Sequence, residues 1–305
     1  MVVLLDDSAI RSRLDAAQAV AWMGEAVDAA EHGDLVAPPR LAADLGAGGL
    51  VFTTGRLRGS WYGYRSYDTL ATHEDEQVVV VHDEGTGRVR AVAIGTELGP
   101  RRTGALGAVA ADALAAPDAD VVALIGAGRQ AYAQIWALAA VRPIREVRVY
   151  SRDPARRRAF LQRIAGLVAG SCREAPSAAA AAEGAPIVIL ATSSATPVLA
   201  ASQVAPGAFV STLGPKQRGR AEFGIDLAER ATVLATDSLA QIRAYDPPNV
   251  LVGSSAEGRL VSLGAVRARP VRARDGIALF FSVGLAGTEA YLLDRLSRTL
   301  DSSGQ

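Results

Sequence analysis

The sequence predicts an α/β protein in which a parallel-sheet domain is inserted into an α+β domain formed by both chain ends. The chain has 305 residues, more than one hydrophobic core usually organises, so two domains are expected. From residue 120 to 238, β-rich runs alternate with helical stretches, which is typical of a parallel sheet covered on both faces. From 50 to 95 the strands follow one another through short turns, which indicates an antiparallel sheet.

The amino-terminal region is predicted to combine helix and antiparallel sheet. Apolar residues at helical spacing predict one helix over 8–32, with Ser8 as its N-cap and Gly33 as its stop. The predicted strands of the sheet cover 50–57, 60–67, 76–83 and the run after a hairpin turn at 84–87. An alanine-rich helix over 101–116 follows, and Pro117 ends it.

The central region carries the alternating pattern. Its predicted strands cover 120–126, 146–151, 185–194, 207–214 and 231–238. We place this domain at residues 117–270. Residues 1–116 and 271–305 are then expected to fold together as the flanking domain, with an apolar strand and a helix after residue 275.

The charge balance narrows the class of ligand. The formal net charge is zero, with 32 basic and 32 acidic residues, and half of all residues are apolar. A nucleic-acid-binding protein normally shows a basic excess. The balance therefore favours a small-molecule ligand, and no nucleic-acid partner is expected.

Cysteine usage and hydropathy indicate the compartment. The single cysteine, Cys172, excludes an internal disulfide, and the three histidines (His32, His73 and His82) lack metal-ligand spacing. No basic segment precedes the first apolar run, and no run reaches the roughly 18 apolar residues of a membrane span. We therefore expect a cytoplasmic protein with no bound metal and no membrane partner.

A glycine turn marks the start of the central domain. A predicted strand is followed directly by Gly126-Ala127-Gly128 and by a helix that begins with Arg129, Gln130 and Ala131. This G-x-G-x-x-A pattern predicts a Rossmann dinucleotide-binding domain. The first glycine permits a tight turn, the second lets the backbone approach a diphosphate, and the small Ala131 permits close helix–strand packing. The helix N-terminus offers free N–H groups to the phosphates.

The tip of the second strand bears on which dinucleotide binds. Domains that prefer NAD usually place an acid there, which accepts hydrogen bonds from the adenosine ribose 2′-OH. This chain has Ser151 and Arg152 instead, followed by Arg156, and guanidinium groups bind phosphate in a bidentate fashion. We therefore expect NADP(H). NAD(H) stays an alternative because Asp153 follows two positions after Ser151. Arg157 and Arg158, which follow Arg156, could instead form a solvated basic face of a helix.

Seven short motifs occur in an order that points to one family. They are Pro38-Pro39-Arg40, Gly63-Tyr64-Arg65, Arg102-Thr103-Gly104-Ala105, the glycine turn, Ala191-Thr192-Ser193-Ser194 before Pro197, Gly214 followed by Glu222, and LFFSVGLAGTE at 279–289. Together they resemble the ornithine cyclodeaminase/mu-crystallin family over nearly the whole chain, in particular its ketimine reductase and alanine dehydrogenase branch.

The resemblance implies a homodimer in which a substrate-binding and dimerisation domain, built from both chain ends, accompanies a Rossmann domain. Family members handle a carbon that passes between amine and imine, with hydride exchanged with the nicotinamide. By motif match, Arg40 and Arg102 are expected to bind the substrate carboxylate. Paired guanidinium groups hold a carboxylate in one orientation and so fix the reacting carbon.

Two positions depart from the family pattern. Arg65 replaces a lysine of many members; it can still bind an anion, but it stays charged and is a poor proton shuttle. The position of the cyclodeaminase aspartate, counted from Gly214, holds Lys216, the only lysine among the 32 basic residues. We take Lys216 and Arg65 as the candidate catalytic residues, with Lys216 donating a proton to the nitrogen. The alternatives for Lys216 are a contact to a second anionic group of the substrate and a solvated loop position.

Further cofactor contacts are expected where later strands end. Thr192 and Ser193 lie at the carboxyl end of a β-rich run, where Rossmann ligands bind, and Leu213 lies at the end of the next. Ser282 and Gly284 match the family segment that approaches the nicotinamide. Glu222 is expected to orient the loop and not the substrate.

These residues predict an NAD(P)H-dependent oxidoreductase that reduces an imine or α-imino acid, or oxidises the corresponding amine. Two alternatives stay open. One is an ornithine or lysine cyclodeaminase, which releases ammonia without net redox change and which Lys216 in place of aspartate disfavours. The other is a non-catalytic ligand-binding protein that has kept the dinucleotide site.

Overall fold

The computed structural model describes residues 2–70, 76–273 and 275–302, and the chain divides into two compact units. The terminal unit comprises Met1–Arg102 and Gly284–Gln305, and the central unit comprises Thr103–Val283. Within the described ranges, no helix has both the length and the apolar character needed to cross a membrane. The same ranges contain no group of three or more His, Cys, Asp or Glu side chains able to hold a metal ion. His73 lies outside the described residues.

The terminal unit begins with a short strand and two helices and continues as a sheet. In chain order its elements are β1 (Val3–Leu5), α1 (Asp7–Arg13), α2 (Ala16–Glu31), β2 (Leu35–Val36), β3 (Leu41–Asp44), β4 (Gly49–Leu57), β5 (Trp61–Asp68), β6 (Gln77–Asp83), β7 (Val89–Gly95) and the start of α3 (Leu98–Leu114). The strand order is β1-β7-β6-β5-β4-β2, with β3 paired to β4. β1 runs parallel to β7, and the other pairs are antiparallel, as the sequence predicts for β4 to β7.

The predicted single helix over 8–32 is two helices, and Ser8 is not an N-cap. The Asp6 side chain caps α1 by accepting a hydrogen bond from the Ala9 N–H at 2.8 Å, which leaves Ser8 inside the first turn. The Asp15 side chain caps α2 in the same way, through the Gln18 N–H at 3.0 Å. Two capping aspartates within ten residues restart the helix, whereas apolar spacing alone hides the break.

The central unit alternates strands and helices. Its further elements are β8 (Val121–Ile125), α4 (Arg129–Val141), β9 (Glu146–Tyr150), α5 (Pro154–Ile164), β10 (Ser171–Glu174), α6 (Ala178–Ala182), β11 (Ile187–Leu190), β12 (Phe209–Thr212), β13 (Lys216–Gln217), β14 (Arg220–Ala221), α7 (Ile225–Arg230), β15 (Ala231–Thr236), α8 (Leu239–Arg243), β16 (Leu260–Ser262), α9 (Leu263–Ala268) and β17 (Ile277–Phe281), after which α10 (Thr288–Ser302) belongs to the terminal unit.

One parallel sheet organises the central unit. Its strand order is β10-β9-β8-β11-β12-β17-β15-β16, and every pair in it is parallel. All residues of β8, β11, β12 and β17 are buried, as expected for strands covered on both faces. The predicted α/β class with a Rossmann-type parallel sheet is therefore confirmed.

The unit boundaries differ from the predicted domain boundaries at 116/117 and 270/271. Most of α3 lies in the central unit. A Cβ at Gly104 would lie 2.1 Å from the Ala133 carbonyl oxygen, so only glycine lets α3 come this close to α4. β17 pairs with β12 and β15 and is a strand of the parallel sheet, not of the flanking domain.

One face of the terminal sheet packs on α10. Alternate residues of β5 point to this helix: the Trp61 ring meets the Tyr291 ring edge-on at 6.3 Å between centroids, and a Cβ at Gly63 would lie 3.0 Å from an α10 side chain. The same alternation places Arg65 on this face, where it contacts Glu289 in the first turn of α10.

Candidate functional site

The glycine turn after β8 has the backbone that a diphosphate site requires. Gly126 has φ +128°, and a Cβ there would lie 2.2 Å from the Ala191 carbonyl oxygen, so only glycine fits. Gly128 is the N-cap of α4, and no atom lies within 4 Å of the position of a Cβ there. The N-terminus of a 13-residue helix thus faces open space beside a side-chain-free residue. These features fit the phosphates of a dinucleotide.

The tip of β9 presents Ser151 and Arg152 beside the start of α5. Arg152 is exposed and Ser151 is half-buried. Asp153 is the N-cap of α5: its Oδ1 accepts hydrogen bonds from the N–H groups of Ala155 and Arg156 at 2.9 and 3.2 Å. The Asp153 carboxylate therefore caps a helix. This is evidence against its being the acid that binds the ribose in an NAD site.

A solvated helix face was the alternative explanation for Arg157 and Arg158, and for Arg157 it is wrong. Its guanidinium is half-buried and donates hydrogen bonds to Glu174 at 2.6 Å and to the Ser151 carbonyl oxygen at 2.8 Å. It ties α5 to β10 and to the tip of β9. Arg158 is exposed, as the solvated reading predicts.

A cavity of about 370 Å³ adjoins the glycine turn within the central unit. Its lining comes from the turn and from one side of α5: Ala127, Gly128, Arg129, Arg156, Ala159, Phe160 and Arg163. Three of these seven residues are arginines, and none of the seven is acidic.

Glu222 joins the ends of β11 and β12. Its side chain is fully buried. One carboxylate oxygen accepts hydrogen bonds from the Thr192 N–H and hydroxyl at 2.9 and 2.8 Å, and the other accepts them from the N–H groups of Leu213 and Gly214 at 3.0 and 2.5 Å. Glu222 thus orients the loop, as predicted, and Ser193 is exposed beside Thr192.

Lys216 is buried, which rules out the solvated loop position. Its side chain is 1% exposed and its Nζ donates a hydrogen bond to the Gly214 carbonyl oxygen at 2.7 Å. Arg218 and Arg220, on the same β13–β14 hairpin, are exposed. The one lysine of the chain therefore lies beside the loop that Glu222 holds.

The end of β17 completes the edge of the sheet. The Ser282 N–H donates to the Thr212 carbonyl oxygen at 3.1 Å, and the Val283 N–H donates to Asp237 Oδ1 at 2.9 Å. Asp237, which was not predicted from the sequence, holds this segment in place. Gly284 lies in the terminal unit with φ +97°. The predicted cofactor residues other than Gly284 thus gather at the carboxyl edge of one sheet, and their contacts to a cofactor stay predictions.

In the terminal unit, Arg65 and Arg102 share one carboxylate. Glu289 Oε1 accepts hydrogen bonds from Arg65 Nη1 at 2.6 Å and from Arg102 Nε and Nη2 at 2.8 and 2.5 Å. Arg65 also donates to Gln77 at 2.9 Å and lies over the Tyr67 ring, 4.2 Å from its centroid. The side chains of Arg65 and Arg102 are 11% and 9% exposed, and that of Glu289 is 1% exposed.

The charges of this cluster depend on one another. Burial by itself raises the pKa of Glu289, but the positive charges of Arg102 and Arg65 outweigh it and hold the pKa at about 2. Burial lowers the pKa of Arg65, the Glu289 carboxylate opposes this, and the charge of Arg102 adds to the lowering. Two guanidinium groups and one carboxylate leave one positive charge, which suits an anionic ligand.

Glu289 was not predicted as a site residue, although it lies in the LFFSVGLAGTE segment at 279–289. A glutamate in the first turn of a helix is usually a solvated partner of the helix N-terminus. Its two arginine partners come from β5 and α3, 224 and 187 positions away, so no local signal reveals the cluster.

Arg40 is the last of the predicted site residues, and the two described histidines, which were assigned no chemistry, lie elsewhere in the terminal unit. Arg40 is half-buried just before β3, and its role as a carboxylate ligand stays a prediction. His82 stacks on the Tyr62 ring at 4.8 Å between centroids, and His32 is the C-cap of α2.

Comparison with known proteins establishes the family. A sequence model of the ornithine cyclodeaminase/mu-crystallin family matches residues 7–293, so the chain belongs to this family. It is 37% identical over 203 residues to a putative dehydrogenase of Rhizobium meliloti, a match that covers 65% of this chain and 61% of that protein. It is 30% identical over 175 residues to the ketimine reductase mu-crystallin of Mus musculus, which covers 57% of this chain and 54% of that protein.

The fold is shared with solved structures. The structure of Thermococcus litoralis Δ1-pyrroline-2-carboxylate reductase in complex with NADH and L-proline aligns with a TM-score of 0.90 and 23% sequence identity, over 99% of this chain and 98% of that one. At this identity the likeness concerns the fold alone.

Proposed function

We propose that this protein is an NADP(H)-dependent oxidoreductase that interconverts an imine and an amine on a small carboxylate substrate. In the reducing direction the imine carbon gains a hydride and the nitrogen gains a proton. The observation that carries the proposal is the buried Arg65–Arg102 pair on Glu289, in a chain that also exposes a glycine turn at the edge of a parallel sheet. The ketimine reductase and dehydrogenase relatives support it.

The residues proposed to bind the cofactor lie in the central unit. When bound, the reduced dinucleotide would supply the hydride. Gly128 and the N-terminus of α4 would hold its diphosphate, and the exposed Arg152 and Arg156 would favour the extra phosphate of NADP(H). The use of Asp153 as a helix cap supports NADP(H) over NAD(H).

The residues proposed to bind the substrate carboxylate lie in the terminal unit. Arg65 and Arg102 would bind the substrate carboxylate, and Arg40 would add a third guanidinium. Glu289 keeps the first two together, because without its charge they would repel each other in a poorly solvated place. The substrate carboxylate would neutralise the one positive charge that remains.

Lys216 is the proposed proton donor. Its burial and its hydrogen bond to the Gly214 carbonyl oxygen hold the ammonium group in place at the edge of the parallel sheet where Rossmann ligands bind. A positioned acid of this kind contributes roughly 100-fold or more to a rate. An arginine at this position would keep the charge but could not release a proton.

An activity screen tests the function. Oxidation of NADPH should be measured with cyclic ketimine carboxylates and with 2-oxo acids plus ammonia. We expect turnover of at least one substrate, a loss of about 100-fold in kcat/KM for Arg102→Ala because a buried charge contact is truncated, and a loss of about 100-fold in kcat for Lys216→Met.

The controls distinguish roles from general damage. Arg220→Ala removes an exposed cation from the hairpin that carries Lys216 and should leave kcat unchanged. Unchanged kinetics in Arg102→Ala and Lys216→Met would remove the assigned roles. Release of ammonia from ornithine or lysine without added reduced cofactor would instead identify a cyclodeaminase.

We also propose a homodimer that forms through the sheet of the terminal unit. The face turned away from Arg65 carries the exposed apolar side chains Leu4, Leu41, Tyr62 and Ile94, which are 71%, 66%, 39% and 45% exposed. An exposed apolar face can mark a protein–protein contact, and we propose a second copy of this chain as the partner because the family resemblance implies a homodimer. Sedimentation equilibrium should give twice the 31.6 kDa of the chain, and a monomer mass at micromolar concentration would contradict the proposal.

A further inference from the structure

We propose that the cavity between the glycine turn and α5 binds the adenosine 2′-phosphate of NADP(H), and that Arg163 is one of its ligands. The family motifs leave Arg163 without a role. The inference rests on the proposed use of a nicotinamide dinucleotide and adds the site that distinguishes NADP(H) from NAD(H).

The cavity has two walls that face each other within the central unit. Ala127, Gly128 and Arg129 form the first, where the glycine turn leads into α4. The second is one side of α5, whose lining residues Arg156, Ala159, Phe160 and Arg163 have the i, i+3, i+4, i+7 spacing of a single helix face. Two arginines two turns apart thus point to the same space as the turn.

The charges of the lining select an anion. Arg129, Arg156 and Arg163 bring three guanidinium groups, and the start of α4 adds its partial positive charge. Arg163 lies over the Tyr132 ring, 4.9 Å from its centroid, so a contact with α4 holds the guanidinium between the two helices. The nearby Asp153 carboxylate is engaged as the N-cap of α5.

The position of the cavity favours the 2′-phosphate over the diphosphate. In a Rossmann domain the diphosphate crosses the glycine turn itself, while the adenosine ribose lies at the tip of the second strand. That strand is β9, and α5 follows it after three residues. A phosphate on the ribose 2′-oxygen would therefore lie beside α5. Its charge of about −2 suits several guanidinium groups, which bind phosphate in bidentate fashion.

Equilibrium titrations of the full-length protein test the inference. NADPH and NADH should be titrated against the wild type, Arg163→Ala and Arg158→Ala, because Arg158 is an exposed arginine of α5 that does not line the cavity. We expect Arg163→Ala to raise the Kd of NADPH about 10-fold, since a charge-assisted hydrogen bond is lost, and to change the Kd of NADH less than about 2-fold. Arg158→Ala should change neither.

Two smaller probes isolate the phosphate. Adenosine 2′,5′-bisphosphate and AMP both carry one 5′-phosphate and differ only in the 2′-phosphate, so Arg163→Ala should weaken the binding of the first alone. An equal rise in Kd for NADPH and NADH would assign the cavity to the diphosphate and overturn the inference. No change for either would exclude Arg163 as a ligand. In both cases wild-type binding would leave the proposed function intact, whereas failure of the wild type to bind any dinucleotide would remove both.

Discussion

Substitution of Gly128 by alanine is expected to weaken the binding of NADPH and NADH about 30-fold while leaving the protein folded. The position of the added methyl group is empty in the structure and the residue has φ −100°, so the backbone accepts alanine. A bound diphosphate would lie where the methyl group projects, so the backbone could no longer approach it closely. We expect this to cost about 2 kcal/mol of binding free energy, the value of one charge-assisted hydrogen bond. Fluorescence titration gives the Kd, and thermal unfolding checks the fold.

Gly166→Ala is the matched control for Gly128→Ala. This glycine also has no atom within 4 Å of its missing Cβ, but it lies after α5 and away from the turn. Both the Kd and the unfolding temperature should stay at the wild-type value. Alanine is a weaker N-cap than glycine, so Gly128→Ala should lose no more than about 1 kcal/mol of stability. A folded Gly128→Ala protein with wild-type affinity would contradict the placement of the diphosphate.

Substitution of Glu289 by glutamine is expected to lower the free energy of unfolding by about 3 kcal/mol at neutral pH. Removal of the carboxylate charge takes the Glu289 counter-ion away from two buried guanidinium groups, and breaking a buried ion pair typically costs about 3–5 kcal/mol. A pKa of about 2 for this carboxyl, against an ordinary value of 4.5, corresponds to a similar stabilisation of roughly 3 kcal/mol. Urea unfolding followed by fluorescence and circular dichroism measures the loss.

The pH dependence of this difference has a definite sign. Because the folded protein lowers the pKa of Glu289, its contribution is fully present above pH 4.5 and is lost as the pH falls toward 2. The difference between wild type and Glu289→Gln should therefore be constant from pH 7 to 5 and should narrow below pH 4.5. A difference that widens on acidification would contradict the assignment.

Glu25→Gln is the control for Glu289→Gln. Glu25 also pairs with an arginine in the terminal unit, Arg295, but the two side chains are 47% and 41% exposed. An exposed ion pair contributes about 0–1 kcal/mol, so this variant should lie within that range of the wild type. A similar loss of unfolding free energy in both variants would contradict the claim that burial makes the Glu289 ion pairs more stabilising than an exposed pair.

The fold of the central unit could be predicted from the sequence because the signals that define it are local. Alternating β-rich runs located β8 at Val121–Ile125 and β9 at Glu146–Tyr150 within about one residue, and the glycine turn falls where the first of these strands ends. Glycine spacing, strand composition and helix capping all act over a few residues. The residues at the carboxyl edge of the sheet could therefore be chosen from the sequence.

The features that could not be predicted from the sequence depend on contacts between residues far apart in the chain. The apolar run of β17 gives no indication that it joins the parallel sheet between β12 and β15. In the sequence, Glu289 resembles any glutamate in the first turn of a helix, because its two arginine partners lie far away along the chain. Counting from Gly214 in the family motif identified Lys216. Its burial could not be predicted, because it depends on how the short β13–β14 hairpin packs.

Binding of the nicotinamide dinucleotide itself is the most direct test of the function proposed for this chain. The wild-type protein should be titrated with NADPH, with the fluorescence of the reduced nicotinamide or of the protein as the signal. We expect saturation at one dinucleotide per chain, with NADPH bound more tightly than NADH. The absence of saturable binding of both at millimolar concentration would mean that the glycine turn seats no dinucleotide, and the reductase proposal would fail.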